Sequence, residues 1–152
     1  MNKKKIILLV ILTIWICFIF GNSLLKGPSS SQLSGGITEF IYNILTAIRI
    51  NIPIETLHAI IRKLAHFTEY FILGIIVIFN VYQYLKEPKY YISFSIGVSL
   101  LISIIDETIQ TSVDGRVGSI IDVGIDSLGF LISILIMTLI LIKINKQKEP
   151  AI

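Results

Sequence analysis

The chain has 152 residues, of which 54% are hydrophobic and only 15% are charged. A soluble domain of this length carries roughly 25% charged residues, so the composition argues against an ordinary soluble protein. The net charge is +3, but the lysines flank apolar blocks and form no basic stripe interleaved with aromatic residues, so we expect no nucleic-acid partner.

Apolar residues occur in four blocks of roughly twenty, the length that crosses a hydrocarbon core about 30 Å thick. They predict an all-α membrane protein with its bundle of about four transmembrane helices in one domain, residues 1–152. The predicted spans are residues 6–25, 64–85, 90–109 and 122–144. The first block follows three lysines, as in a secretory signal, but Gly21-Asn22-Ser23 is a poor match to the A-x-A-like cleavage pattern. We therefore predict a retained signal-anchor helix, with Cys17 buried in it.

The segment between the first two spans is expected to be an amphipathic outer segment. Residues 27–36 are rich in Gly, Pro and Ser and predict a loop. From Ile37 to Ile50, apolar residues recur at three- and four-residue spacings, typical of a helix that lies in the interface or packs over the bundle. Pro53 ends this helix. A dip of residues 37–61 into the membrane is an alternative that the pattern leaves open.

The next elements are short connections and two further spans. Lys86-Glu87-Pro88-Lys89 closes the second span with a turn, and residues 111–119 form a loop around the turn dipeptide Asp114-Gly115.

Lysines concentrate on one side of this topology. With the N-terminus inside, the cytoplasmic segments carry eight lysines and the outer segments five basic residues. Because cytoplasmic loops are enriched in Lys and Arg, both termini are predicted to be cytoplasmic.

Three patches of charged and polar residues interrupt the spans, and they supply ten candidate site residues. These are Arg62, Lys63, His66 and Glu69 in the second span, Asp106, Glu107 and Gln110 in the third, and Arg116, Asp122 and Asp126 at the fourth. The second and fourth spans start outside and the third ends outside, so we expect the patches to converge near the outer face. Ionisable residues inside a membrane are costly and are functional-site candidates by default.

Several roles are compatible with these residues. The arginines could simply pin helix ends together through ion pairs. His66 and Glu69, with nearby aspartates, are weak candidate ligands for zinc, manganese or calcium, and a histidine–carboxylate pair also suits acid–base chemistry on a head group. Ser119 and Ser127 lack a nucleophile-elbow context, and neither a Walker motif nor GxGxxG is present. No cofactor is assigned from these patterns.

Three motifs in a fixed order resemble those of the VanZ-like family of bacterial membrane proteins. They are Arg62-Lys63-x-x-His66-Phe67-x-Glu69-Tyr70, Asp106-Glu107-x-x-Gln110 and Gly115-Arg116-x-Gly118-Ser119-x-x-Asp122-x-x-x-Asp126-x-x-Gly129. The opening Trp15-x-x-x-x-Phe20-x-x-Ser23 and the serine-rich residues 29–34 are also similar to the family's. The resemblance covers roughly residues 15–131.

The chain departs from the family pattern near the end of the third span. The family commonly has His-Gln where Ile109-Gln110 stands, and often an aromatic residue and a proline where Ser112-Val113-Asp114 stands. The missing histidine counts against any mechanism that needs two histidines.

The resemblance implies a small multi-pass protein of the bacterial cytoplasmic membrane, and some family members are linked to low-level resistance to teicoplanin-type glycopeptide antibiotics. It carries no agreed reaction. We therefore predict an outward-facing polar site that engages a lipid-linked cell-envelope component or a glycopeptide drug. Two alternatives stay open: a membrane-embedded, metal-assisted hydrolase or transferase acting on lipid-linked envelope precursors, and a structural or accessory subunit whose charges only hold helices together.

Overall fold

The protein folds into helices, as seen in a computed structural model that describes residues 2–25, 27–116 and 118–148. The helices are α1 (Lys3–Ser23), α2 (Gly27–Ala47), α3 (Ile54–Val81), α4 (Pro88–Thr111) and α5 (Ile120–Lys148). The described ranges contain no strand. Helices α1, α3, α4 and α5 are long and apolar enough to cross a membrane, which confirms the predicted all-α bundle of four spans.

Helix α3 differs most from the span predicted for it. It begins at Ile54 rather than near residue 64, because Pro53 occupies the N-cap position and its carbonyl accepts the Leu57 N–H at 3.0 Å. It ends at Val81 rather than near residue 85. Hydropathy marks the stretch that suits lipid, whereas the helix itself continues wherever backbone hydrogen bonds continue.

The predicted loop at residues 27–36 is wrong, because this stretch belongs to α2. Pro28 lies in the first turn, where a missing backbone N–H breaks no intrahelical hydrogen bond. The helix predicted from Ile37 to Ile50 is present as the second half of α2. It ends earlier than predicted, at Ala47, and Arg49, two residues later, has a positive φ of 63°. Helix α2 packs against α3 and leaves large apolar side chains such as Phe40 exposed.

Helix α3 is the centre of the bundle, because it packs against each of the other four helices. Its Tyr70, Leu73 and Val77 belong to one buried apolar cluster with Phe130 and Ile134 of α5. Large apolar side chains are exposed on the outer surfaces of the other spans. Examples are Ile14, Phe94, Leu101, Leu135 and Leu139. Such surfaces are expected where helices face lipid rather than water.

Cys17 lies in α1 as predicted, but its side chain is exposed rather than buried. The described buried residues of α1 are only Ile19 and Ser23. The reason is that α1 packs on one side, against α3 and α4, so most of its surface faces outward. An apolar helix needs no protein cover on a side that faces lipid.

Two glycines allow α3 and α5 to approach closely. A Cβ on Gly74 of α3 would lie 2.9 Å from the Phe130 carbonyl oxygen, and a Cβ on Gly129 of α5 would lie 2.5 Å from the Phe67 carbonyl oxygen. Small residues are the usual means by which transmembrane helices bring their backbones together. These contacts set the register in which α3 faces α5.

We expect Gly129→Ala to destabilise the protein by about 1–3 kcal/mol, because the added methyl group would overlap the Phe67 carbonyl. A Cβ on Gly124 of the same helix would have no neighbouring atom within 4 Å. Gly124→Ala is therefore the matched control and should preserve or raise the Tm. Thermal melting in detergent, followed by circular dichroism, makes the comparison. Equal melting of the two variants would mean that the close approach does not contribute to stability.

Candidate functional site

Four ionisable side chains meet inside the bundle near one end of α3, α4 and α5. We call His66, Asp106, Glu107 and Asp126 the buried quartet. Each offers one nitrogen or oxygen atom of metal-ligand type, and these four atoms all lie within 4.8 Å of one another. Asp106 and Asp126 are fully buried, and Glu107 is 5% exposed. An imidazole and three carboxylates therefore share one space that is screened from lipid.

Helix geometry explains why these residues reach the same depth. Asp106 lies five residues before the end of α4 and Asp126 six residues after the start of α5, which is about 8–9 Å below the helix ends at 1.5 Å per residue. His66 comes later in its helix, twelve residues after Ile54. Helix α3 therefore extends beyond the ends of α4 and α5.

Asp106 is held by hydrogen bonds from two helices. Ser23 of α1 donates its hydroxyl to Asp106 Oδ1 at 2.6 Å, and Gln110 Nε2 donates to Asp106 Oδ2 at 3.2 Å. The same Gln110 nitrogen lies 3.3 Å from Glu107 Oε1. Hydrogen bonds to carboxylates are stronger than neutral ones when the acid is ionised, so Ser23 and Gln110 orient this part of the quartet.

Glu107 connects α4 to the start of α5. Its Oε2 accepts the backbone N–H of Ser119 at 2.8 Å, and the Ser119 hydroxyl accepts the Ile121 N–H at 3.1 Å, as an N-cap does. Gly118 allows the loop to reach α4, because a Cβ there would collide with the Glu107 carbonyl oxygen. The glycine and serine of the third motif therefore serve to place Glu107 against α5.

His66 and Asp126 face each other across the α3–α5 interface. His66 Nδ1 lies 3.8 Å from Asp126 Oδ1, which is too far for a hydrogen bond. Both atoms are buried, and neither has a hydrogen-bond partner among the described residues. The other oxygen, Asp126 Oδ2, accepts the Ser103 hydroxyl at 2.8 Å. One oxygen of this buried carboxylate is therefore oriented, while the other points toward the imidazole.

Glu69 lies outside the quartet. Its Oε1 accepts Asn22 Nδ2 at 2.9 Å, and its backbone carbonyl accepts the indole N–H of Trp15 at 3.1 Å. These contacts attach α1 to α3. Of the two residues predicted as weak metal ligands, the structure thus places His66 in the quartet and Glu69 beside it.

Lys63 and Asp122 form a separate, peripheral pair. Lys63 Nζ lies 3.3 Å from Asp122 Oδ1, and the two side chains are 50% and 17% exposed. An exposed pair of this kind contributes little to stability, typically about 0–1 kcal/mol. Although Asp122 and Asp126 share one face of α5, only Asp126 belongs to the buried site.

A recess of about 480 Å³ opens beside the quartet, between α1, α2 and α3. Its walls combine polar and apolar side chains. The polar residues are Asn22, Ser23, Arg62, His66, Glu69 and Arg116, and the apolar residues are Phe18, Leu25, Ile37, Ile61 and Ala65. On the other side of Arg62 and His66 lies a smaller recess of about 240 Å³, which includes Lys63 and Asp122.

Arg116 lies in the α4–α5 loop and lines the larger recess. Burial lowers the pKa of its guanidinium and the like charge of Arg62 lowers it further, while the carboxylates of Asp106, Glu107 and Glu69 act in the opposite direction. An arginine remains protonated even so, because its ordinary pKa is above about 12. Arg116 therefore brings a fixed positive charge to the edge of the site.

Sequence reasoning missed the residues that orient the quartet, above all Ser23 and Ser103. A signal for Ser103 is present in the chain. Ser95, Ser99 and Ser103 recur every four residues in an apolar helix and continue the face that carries Asp106 and Gln110; all five are buried. A polar stripe with helical periodicity inside a membrane span predicts a protein-facing surface. Ser23 continues no polar stripe, and its only signal in the sequence is its place at the end of the opening motif Trp15-x-x-x-x-Phe20-x-x-Ser23.

We expect Ser23→Ala to lower the stability of the protein by about 1–3 kcal/mol, because a buried carboxylate loses a short hydrogen bond. Ser93 is exposed on α4, so Ser93→Ala is the matched control and should change the Tm little. Melting in detergent tests both. A Tm for Ser23→Ala equal to that of the control would show that the Ser23–Asp106 bond does not stabilise the fold.

Comparison with known proteins agrees with the motifs. A family model described as VanZ/LLP1 matches residues 8–141, a range that includes the whole quartet and every residue that lines the larger recess. No curated protein and no solved structure matches the chain. The suggested family is therefore confirmed by a match over most of the chain, and this multi-pass membrane protein belongs to the VanZ/LLP1 family.

Proposed function

We propose that the larger recess binds the anionic head group of a lipid-linked cell-envelope component at the outer face of the bacterial cytoplasmic membrane. By holding this component, the protein contributes to reduced susceptibility to teicoplanin-type glycopeptide antibiotics. The observation that carries the proposal is that cationic side chains, those of Arg62 and Arg116, and apolar side chains such as Phe18 and Ile61 line the same recess.

An amphiphilic ligand suits such a recess. Arginine presents several N–H donors in a planar fork and is the preferred side chain for phosphate and carboxylate groups. Phe18 and Ile37, two of the apolar lining residues, are 47% and 57% exposed, so the recess is continuous with the outer surfaces of α1 and α2. A volume of about 480 Å³ lies within the usual range of about 300–1,000 Å³ for small-ligand sites.

The distribution of lysines supports an outward-facing recess. The recess lies where α1 and α4 end and where α3 and α5 begin, and Lys86, Lys89, Lys143 and Lys146 lie toward the opposite end of these helices. Under the positive-inside rule the lysine-rich end is cytoplasmic. Both termini are then cytoplasmic, and the recess opens toward the outer leaflet.

We expect Ser112→Cys, in the loop at the recess end, to react in intact cells with a membrane-impermeant maleimide. Gln147→Cys, near the end of α5, should react only after the cells are permeabilised. The background is Cys17→Ser, because Cys17 is the single cysteine of the chain and is exposed. The reverse labelling pattern would overturn the orientation and with it an outer-face site.

We expect wild-type protein to lower teicoplanin susceptibility in a host deleted for the gene, and Glu69→Gln to fail to do so at matched membrane expression. The substitution keeps the size of the side chain but replaces the carboxylate that accepts the Asn22 amide with a neutral group, which weakens the contact that holds α1 against α3 at the wall of the recess. Alanine at Arg116 or Asp106 should have the same effect. Minimal inhibitory concentration is the readout.

Glu87→Gln is the matched control for this experiment. Glu87 is exposed and precedes α4 at the opposite end of the bundle, where its side chain makes no capping hydrogen bond. It should behave like wild type. If Glu69→Gln, the alanine variants and the control all protect as well as wild type, the polar residues only hold helices together and the proposed binding site is wrong.

A further inference from the structure

The formal charges in and beside the buried quartet do not balance. Four carboxylates belong to the quartet or line the larger recess, namely Glu69, Asp106, Glu107 and Asp126. The described residues of the same two sets include two guanidinium groups, those of Arg62 and Arg116. Lys63 is engaged with Asp122 outside the quartet. With His66 neutral and the acids ionised, two negative charges remain in excess, which is the charge of one divalent cation.

The spacing of the quartet matches a ligand shell. All four ligand-type atoms lie within 4.8 Å of one another. Ligand atoms of a tetrahedral zinc ion lie about 3.3–3.6 Å apart, because the ion–ligand distance is about 2.0–2.2 Å for nitrogen and oxygen ligands. Four donors gathered within 4.8 Å need only small side-chain adjustments to close around one ion.

The strongest indication is the pair of unsatisfied atoms at the α3–α5 interface. Asp126 is fully buried, yet its Oδ1 has no hydrogen-bond partner among the described residues and points at His66 Nδ1, which has none either. Buried polar atoms are nearly always satisfied, and an exception calls for a proton, a water or an ion. The separation of 3.8 Å is too long for a direct bond but suits two ligands of one ion.

Gln110 carries a further buried oxygen without a hydrogen-bond partner among the described residues. Gln110 is fully buried, and its two amide N–H groups are shared among three acceptors, on Asp106, Glu107 and Ser23, while its Oε1 is unsatisfied within the described part of the chain. The Gln110 amide thus contacts two members of the quartet and retains an oxygen that can accept a hydrogen bond. An amide oxygen is also an acceptable ligand for a hard cation.

The quartet also has the outer hydrogen bonds that metal sites need. Ser23, Ser103 and the Ser119 backbone each donate to one carboxylate of the quartet, at 2.6, 2.8 and 2.8 Å. Such partners fix the orientation of ligating carboxylates and leave further lone pairs on the same group available. His66 lines both recesses, which supplies a route by which an ion reaches the quartet.

We propose that the buried quartet binds one divalent cation through His66, Asp106, Glu107 and Asp126. One imidazole nitrogen with carboxylate oxygens is a donor set of the zinc or manganese type rather than the all-oxygen set typical of calcium or magnesium. The site stands apart from the proposed head-group function, because an ion can hold α3, α4 and α5 together whether or not the recess binds a ligand.

The test uses full-length protein purified in detergent, stripped with chelator, incubated with ZnCl₂ or MnCl₂ and desalted. Elemental analysis should find about one ion per chain in wild type, and the ion should raise the Tm of the stripped protein, since a ligand that binds only the folded state stabilises it. Asp126→Asn and His66→Gln should weaken binding by more than about tenfold, the least that loss of an outer hydrogen-bond partner costs at known sites.

Asp122→Asn is the matched control, since Asp122 lies one turn earlier on α5 but outside the quartet. It should bind the ion like wild type. Absence of bound ion and of a Tm shift in wild type would overturn the proposal and leave the acids neutralised by protons. Equal binding by all four proteins would do so too, because the ion would then sit elsewhere. If Asp126→Asn does not fold, His66→Gln decides, since His66 lies at the edge of the recess.

Discussion

Charged groups inside a membrane bundle must be turned away from lipid, and this requirement orients three of the four spans. A charge on a helix at the bilayer centre costs about 2.5–3.5 kcal/mol on insertion scales. Helices α3, α4 and α5 carry His66, Asp106, Glu107 and Asp126 within their apolar stretches. Each helix can bury its ionisable residues only if the face that carries them is turned toward the other two helices. The quartet forms where these three faces meet.

The apolar contacts are less specific than the polar ones. Side chains such as Leu73 and Ile134 pack in the core, but lipid solvates similar side chains equally well, so apolar burial alone does not select one rotation of a helix. Close approach does select one, because Gly74 and Gly129 admit the neighbouring backbone only when α3 and α5 face each other at these positions. The burial of the polar groups and the close backbone contacts at the two glycines therefore favour the same arrangement of α3 against α5.

The quartet and the larger recess share His66 and are linked through Ser23, which donates to Asp106 and also lines the recess. A ligand in the recess would therefore contact the residues that orient the quartet. This proximity joins the two proposals physically, although each rests on different atoms. The recess depends on the guanidinium groups at its rim, whereas the quartet depends on carboxylates deeper in the bundle.

The sequence by itself determined the four spans, the end of the bundle where the charged residues gather and the family, because hydropathy, helical spacing and motif order are local properties of the chain. It failed where a proline begins a helix instead of ending one, and where distant contacts decide. The loop predicted at residues 27–36 is helical, and Glu69 binds Asn22 rather than joining the quartet. Only the tertiary structure decided which carboxylates meet, because spacing along one helix defines a face but not the partner that this face will contact.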